Sequence, residues 1–395
     1  MKKIYKKIKI LLSIMIVFFS INISYAENED KQNEEIQTDE SIDVYIDTQL
    51  EQLELDEMQK QLEDSIVLDN VDLKSFIKDI ISGQKTIVDM FDKEAIKLVL
   101  FNEFESSLKV ASMIIVLALL SSLLKSLDNS FSSGAISQII NYIIFIVVIS
   151  VLIVGFKDVL EICNNTLDLT LTLVEIILPI MLGLLALNGL TITSTIMTPI
   201  FVGVVAFIDM IFKDFVIMTI TVAFAITVIN NISKNIKLTK LAKLIKNINL
   251  GTIGAMFTIY LLIVSMQMIY IKQVDGFAMT SAKYAIGTFI PVVGGFLSDS
   301  INIILSSSQL IKSIFGALGL IILIGVCIIP IIKVISIVFV YKMCAVVVEP
   351  IGEESISNLL NEVANLMTVI LACIIAITFM FFVTIAVLTS ISAIA

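Results

Sequence analysis

Arginine, histidine and tryptophan are missing from the 395-residue sequence, and all 26 basic residues are lysines. Without histidine the chain cannot build a Ser-His-Asp triad, a Cys-His pair or an HExxH zinc site. Without arginine it has no bidentate phosphate clamp and no arginine finger. No P-loop motif is present either. We therefore expect a protein that is not an enzyme, with no catalytic residue, no cofactor and no bound metal.

Cysteine is scarce as well, and no two cysteines form a CxxC pair. The four are Cys163, Cys327, Cys344 and Cys373. Cys327 and Cys373 fall in long apolar runs, where a thiol behaves as a small hydrophobic group. A disulfide framework is therefore not indicated.

Charged residues make up only 16% of the chain, whereas 57% of its residues are hydrophobic and the mean hydropathy is +1.00. Ordinary soluble domains hold about 45–50% apolar residues. The excess is concentrated in residues 110–395, as one apolar run after another. This pattern predicts an all-α, polytopic integral membrane protein. It has no basic surface large enough for nucleic acid, so we expect no such partner.

The first 26 residues have the form of a secretory signal peptide. Lysines between Lys2 and Lys9 precede the apolar run Ile10–Ile23, and small residues at Ser24 and Ala26 predict cleavage after Ala26. The alternative is an uncleaved first transmembrane helix. Under both interpretations the segment 27–109 lies outside the cytoplasm.

This exported segment 27–109 begins with an acidic stretch, in which residues 27–64 carry fifteen acids against two lysines. Apolar residues then recur at helical spacing between Leu73 and Ile81, which predicts amphipathic helices. These helices could pack on each other and on the membrane surface, or they could bind an exported partner protein.

The body of the chain, residues 110–395, contains about eight or nine candidate transmembrane helices, because a span needs about 20 apolar residues. One candidate, Ala285–Leu305, is interrupted by Pro291, Gly294 and Gly295, so we predict that it is broken or re-entrant. The candidates are Leu108–Leu124, Ala135–Phe156, Leu167–Leu190, Ile192–Phe212, Phe215–Ile229, Leu250–Ile271, Ala285–Leu305, Ile314–Val340 and Ala364–Leu388.

Lysine distribution predicts the orientation. Residues 230–247 hold five lysines and no acid, so this loop should be cytoplasmic. Counting spans backwards from it reaches an external N-terminal segment, as a signal peptide requires. Counting forwards places Lys312 inside, the acidic loop 342–363 outside and the C-terminus inside.

Acidic residues at membrane depth are functional candidates because they are costly to place in hydrocarbon. Glu175 lies in the middle of a predicted span, and we expect it, together with Asp209, to face an interior seam or a watery cavity. Asp168 lies near the end of a span, as Asp209 does, so an interfacial position is the alternative for both. The broken segment contributes further candidate residues. They are Pro291, Gly294, Gly295 and Asp299.

Two stretches carry a resemblance to a known family. Lys283–Ser300 reads KYAIGTFIPVVGGFLSDS, with a proline and a glycine pair inside an apolar run. Tyr341–Leu360 reads YKMCAVVVEPIGEESISNLL, with a Pro-Ile-Gly turn before an amphipathic helix. Together with the signal peptide, the acidic exported segment and the multispanning body, they resemble the stage III sporulation protein AE family of endospore-forming bacteria.

The resemblance implies a membrane subunit of a channel or secretion-like complex between mother cell and forespore, needed for late forespore development. Its implied partners are the other SpoIIIA proteins, including the AA ATPase and ring-forming subunits, and SpoIIQ. The implied location is the multi-pass inner membrane of the mother cell around the forespore. The family supplies no catalytic residues.

Two other functions compete with this one. A secondary transporter could build a midplane site from Glu175 and the broken FIPVVGG segment, because broken helices are typical of such sites. A membrane-embedded enzyme is the weakest alternative, since histidine, arginine and nucleotide motifs are all missing.

Overall fold

A computed structural model describes residues 93–128, 134–188, 190–232, 238–289, 294–351 and 353–391, and all regular structure within them is helical. The all-α class is thereby confirmed. The elements are α1 Lys93–Asp128, α2 Gly134–Leu187, α3 Thr191–Asp209, a π-helical segment Met210–Ile217, α4 Met218–Ile232, α5 Thr239–Phe289, α6 Gly294–Val348, a 3₁₀ turn Glu349–Ile351 and α7 Glu354–Ser390. The signal peptide with Ala26, residues 27–92 and Pro291 lie outside the described residues.

Helix α2 forms a long antiparallel hairpin with α3, the π-helical segment and α4, which follow one another without a break. Near the turn, the Ser194 hydroxyl donates a hydrogen bond to the Leu182 carbonyl at 2.8 Å. At the far end of the hairpin the rings of Phe156 and Phe224 stack with their centroids 3.9 Å apart. The turn itself includes Asn188, whose N–H donates to the Leu184 carbonyl at 3.1 Å.

Helix α6 runs antiparallel to α2 along most of its length, and close approach at glycines fixes the register. The Tyr341 ring fills the space beside Gly155. Gly319 leaves room for Ile177, whose Cδ1 lies 2.8 Å from where a Cβ on the glycine would stand. A β-carbon at either glycine would therefore push the two helices apart.

Helix α7 also runs antiparallel to α6 and forms the most deeply buried part of the bundle. The Ser357 hydroxyl donates to the Ala345 carbonyl at 2.8 Å at one end, and Gly316 packs against Thr389 at the other. Almost every apolar position on α7 is buried, because α2, α4, α5 and α6 surround it. This burial explains why α7 carries no charged residue after Glu362.

Five helices in the described residues are long and apolar enough to cross a membrane. They are Phe104–Leu124, Tyr142–Leu187, Thr239–Met266, Ser308–Ile351 and Glu354–Ser390. These helices make the chain a membrane protein, but the number of eight or nine spans is not confirmed.

Two pairs of predicted spans are joined into continuous helices. Ala135–Phe156 and Leu167–Leu190 both belong to α2, and Ile192–Phe212 and Phe215–Ile229 share the run from α3 to α4. The prediction that they are separate elements was wrong, since the charged residues between them interrupt hydropathy but do not break a helix. Lysine, glutamate and leucine are all good helix formers.

The segment Ala285–Leu305 is not a single helix. Helix α5 ends at Phe289 and α6 begins at Gly294. The two helices run in opposite directions. Helix α5 starts beside the end of α4, and α6 ends beside the start of α7. A hydrogen bond between Asn231 on α4 and Glu362 on α7 joins these two places. The segment is therefore shared by the two arms of a helical hairpin.

The acidic stretch 342–363 is not a loop but the end of α6, a short turn and the start of α7. It lies at the same end of the bundle as residues 230–247, because the Asn231 side-chain amide donates to Glu362 Oε2 at 2.9 Å. The Ser121 hydroxyl donates to Glu353 Oε1 at 2.6 Å at this end as well. The sequence predicted the basic and acidic stretches on opposite sides of the membrane, whereas Asn231 and Glu362 meet at one end of the bundle. We call this the basic end, and the end with the turn at Asn188 the turn end.

Candidate functional site

Two acids singled out in the sequence, Asp168 and Asp209, are held together by a lysine that sequence reasoning did not select. Lys213 Nζ lies 2.5 Å from Asp168 Oδ1 and 2.7 Å from Asp209 Oδ1. Asp168 comes from α2, and the other two residues stand one turn apart across the end of α3. The cluster has a net charge of one negative, and its side chains are 30–59% exposed.

The cluster is located where the helix changes its winding. Asp209 ends α3 and Lys213 belongs to the π-helical segment Met210–Ile217. Wider helical turns of this kind occur frequently at functional sites. The buried Phe212 and Val216 anchor the segment against the bundle, so Lys213 is directed towards α2. The sequence signal that could have identified it is the lysine one turn after Asp209, inside an apolar run.

The cluster belongs to a longer row of exposed positions on the outer face of α2, spaced three or four residues apart. The row consists of Lys157, Glu161, Asn165, Asp168, Thr172, Glu175, Pro179 and Gly183, all of which are exposed. Such spacing places them on one face of the helix. This face contrasts with the exposed face of the first half of α2, which is apolar from Ile139 to Val154.

A matching row on α3 runs from the cluster towards the turn end, polar at both ends and apolar at Val202 and Ala206 in the middle. It consists of Thr191, Thr195, Thr198, Val202, Ala206, Asp209 and Lys213. We call the two rows together the polar strip. The next face of α3 is apolar, and we call it the apolar ridge. The ridge consists of Ile192, Ile196, Ile200 and Phe207, which are 37–48% exposed.

Glu175 lies on this outer strip and not in an interior seam. Its side chain is exposed, whereas its neighbours Val174 and Ile177 are buried at 0% and 2% exposure. Helical periodicity explains the correction, because the apolar residues on either side of Glu175 occupy the opposite face of α2. Pro179 has no N–H to donate to the Glu175 carbonyl. That carbonyl lacks its usual helical hydrogen bond and adds a polar backbone group to this face.

The described residues of the broken segment, Gly294, Gly295 and Asp299, are not brought to Glu175. On α6 the positions level with Glu175 lie near Gly319, whereas Gly294 and Gly295 form the first turn of that helix. This separation is about 35 Å along the helix axis. Asp299 lies in the second turn of α6. The part of the predicted transporter site that the structure describes, Glu175 with Gly294 and Gly295, is therefore not assembled.

A second polar location, missed in the sequence, lies towards the turn end inside the bundle. Lys312 is 0% exposed and its Nζ has no hydrogen-bond partner. Asn188 is also 0% exposed, and neither atom of its side-chain amide is hydrogen-bonded. Extending the α2–α6 register from Ile177 and Gly319, by about three turns to Asn188 and about two turns to Lys312, brings both residues to this end. In the described residues no group of acids and thiols is placed to hold a metal ion.

Comparison with known proteins identifies the family. The family model described as "Stage III sporulation protein AE" matches residues 71–392. The chain belongs to the stage III sporulation protein AE family. The match includes every described helix, and with it the polar strip and the buried Lys312.

A relative in the family is stage III sporulation protein AE of Bacillus subtilis (strain 168). It is 24% identical over 315 residues, which cover 80% of this chain and 79% of the relative. No solved structure matches the chain. The resemblance seen in the sequence is confirmed, and the chain is a sporulation-related membrane protein.

Proposed function

We propose that the chain is a non-enzymatic membrane subunit of a SpoIIIA–SpoIIQ type channel or secretion-like complex between mother cell and forespore. In this proposal it resides in the mother-cell membrane around the forespore and acts with the other SpoIIIA proteins, including the AA ATPase and the ring-forming subunits. Membership of the sporulation family supports the sporulation role. The single observation that carries the assembly role is the length of the apolar surface.

Helix α2 alone has 54 residues, which makes it about 80 Å long. The hydrocarbon core of a bilayer is only about 30 Å thick. Exposed apolar residues nonetheless occur towards both ends of the bundle, from Ile143 and Ile146 on α2 to Ile192 and Ile196 on α3. A single bilayer cannot cover both regions, so we infer that other protein subunits cover the remainder.

Deletion in the native spore-forming host tests the proposed function. We expect engulfment to proceed while expression of a late forespore reporter fails, with recovery when the gene is restored in the mother cell only. A tagged chain should co-purify with other SpoIIIA proteins from detergent extracts of sporulating cells. Wild-type numbers of mature spores in the deletion strain would refute the proposal.

We also propose that each continuous helix crosses the membrane once, with the basic end in the cytoplasm. The lysines of residues 230–247 support this orientation. Single cysteines at exposed Asn247 and Ser355 should then react with an impermeant thiol reagent from the cytoplasmic side, and a cysteine at Thr191 from the opposite side. The wild-type chain is the control, because its four cysteines are buried. Labelling of positions 247 and 355 from opposite sides would contradict this topology.

A further inference from the structure

The polar strip lies beside an apolar surface on α3. Beside the turn-end half of the strip, from Thr172 to Gly183, α3 exposes the apolar ridge and carries no charged residue between Thr191 and Ile208. Surfaces of this composition are covered by lipid or by another protein. Glu175 lies on the strip at this level, and Asp168 and Asp209 lie just beyond the end of the ridge. This contrast between neighbouring faces requires an explanation.

The threonines of the strip do not indicate whether it faces water or lipid. Thr172 Oγ1 donates to the Asp168 carbonyl at 2.9 Å, and Thr195 Oγ1 donates to the Thr191 carbonyl at 2.8 Å. Each hydroxyl is satisfied by its own helix, so these side chains would tolerate lipid as well as water.

The carboxylates indicate that the strip faces water. Glu161 and Glu175 are exposed on α2, and Asp168 and Asp209 share the one ammonium of Lys213. An acid at the centre of a bilayer costs about 2.5–3.5 kcal/mol even by the mildest scale. Several of them in one row on a helix face are therefore expected to lie against water.

We propose that the polar strip is one wall of a water-filled path that admits hydrated cations, completed by a neighbouring subunit of the assembly. The four acids outnumber Lys157 and Lys213, so the wall carries net negative charge, as in cation-selective pores. Pro179 and Gly183 continue the wall towards the turn end with a free carbonyl and no side-chain bulk. Nothing lies within 4 Å of where a Cβ on Gly183 would stand. This inference rests on the proposed function, because a single chain leaves the path open on one side.

Cysteine accessibility in membranes of sporulating cells tests the path with the full-length chain. Thr172→Cys and Ala206→Cys place a thiol on each row of the strip without removing a charge. Ile200→Cys and Phe207→Cys on the apolar ridge are matched controls, because Phe207 directly follows Ala206 and Ile200 lies about two turns away on the same helix. We expect the strip cysteines to react with methanethiosulfonate reagents and the ridge cysteines to remain unreactive, because a thiol in an apolar environment is not ionised.

Charge selectivity gives a second measurement. At Thr172→Cys the cationic ethyltrimethylammonium reagent should react about tenfold faster than the anionic ethylsulfonate reagent, since lining acids concentrate cations. Adding Glu175→Gln should reduce this preference. Equal rates for both reagents would refute the cation path, whereas reactive ridge cysteines would show that water surrounds this level on all sides.

The two proposals fail in distinguishable ways. If the strip cysteines react selectively while the deletion strain sporulates normally, the sporulation role is wrong and the path stands. If the deletion blocks sporulation but the strip cysteines are as unreactive as those on the ridge, the path is wrong and the sporulation role stands. All cysteine variants should accumulate in the membrane at the wild-type level before labelling, which excludes misfolding as the cause of low reactivity.

Discussion

Lys213→Glu is expected to destabilise the packing of α2 against α3 and the π-helical segment. The substitution replaces two ion pairs, at 2.5 Å to Asp168 and 2.7 Å to Asp209, with two repulsions. Unit charges 4 Å apart interact by about 4 kcal/mol at an effective dielectric of 20. Because the three side chains are 30–59% exposed, solvent screening reduces the loss to about 1–2 kcal/mol. The apparent melting temperature in detergent should fall by several degrees.

The matched control for Lys213→Glu is Lys157→Glu, which makes the same charge change on the exposed face of α2. It should leave the melting temperature almost unchanged, as substitutions of exposed residues usually do. Adding Asp168→Lys to Lys213→Glu restores one ion pair across the helices and should recover part of the loss. A wild-type melting temperature for Lys213→Glu, or no recovery in the double variant, would show that the cluster does not join the helices.

Composition was sufficient to predict the helical membrane class, because apolar runs have few alternatives once backbone groups must bond internally. It was not sufficient for the number of helices. The charged residues between Phe156 and Leu167 interrupt the hydropathy profile, yet α2 continues through them. Hydropathy reports the environment of side chains, whereas helix ends depend on caps and on breaking residues such as those at Pro291 and Gly294.

The site was only partly predictable for a related reason. Asp168, Glu175 and Asp209 could be chosen because acids are rare in apolar runs. Their arrangement depends on the tertiary register between α2 and α3, which the sequence does not display. Periodicity could have placed Glu175 on the outer face, since Val174 and Ile177 lie on the buried side. To predict the ion cluster, one would also have to know which side of α3 contacts α2.

The predicted sides of the membrane were limited in the same way, because they depend on the number of crossings. The two merged pairs together remove two crossings before residues 230–247, so they leave the predicted sides unchanged. Losing Ala285–Leu305 as a separate span removes one crossing after these residues, and the acidic stretch then changes sides. The hydrogen bond from Asn231 to Glu362 at 2.9 Å is sufficient to correct the count. The lysine rule itself is unaffected by this correction, because it applies to residues 230–247 however many helices precede them.

Lys312→Met is expected to make the protein more stable. Lys312 is 0% exposed and its ammonium has no hydrogen-bond partner. A buried ion without a partner carries a desolvation penalty of several kcal/mol, and methionine fills a similar volume without it. The gain should be at least about 1 kcal/mol, seen as a melting temperature several degrees higher in detergent. Lys109→Met is the control, because Lys109 is 75% exposed beside Glu105 and its loss should change stability by less than about 0.5 kcal/mol.

The opposite result for Lys312→Met would be equally informative. If the variant melts below the wild-type chain, the ammonium has a counter-charge in the folded protein, and the unpartnered burial of Lys312 is refuted. Asn188→Leu checks the argument independently, since Asn188 is 0% exposed and both of its side-chain polar atoms are unpartnered. An apolar residue there should also stabilise the bundle, because it removes an unsatisfied polar group from the interior. Stabilisation by both changes would indicate that the turn end keeps polar residues at the expense of stability, as functional regions do.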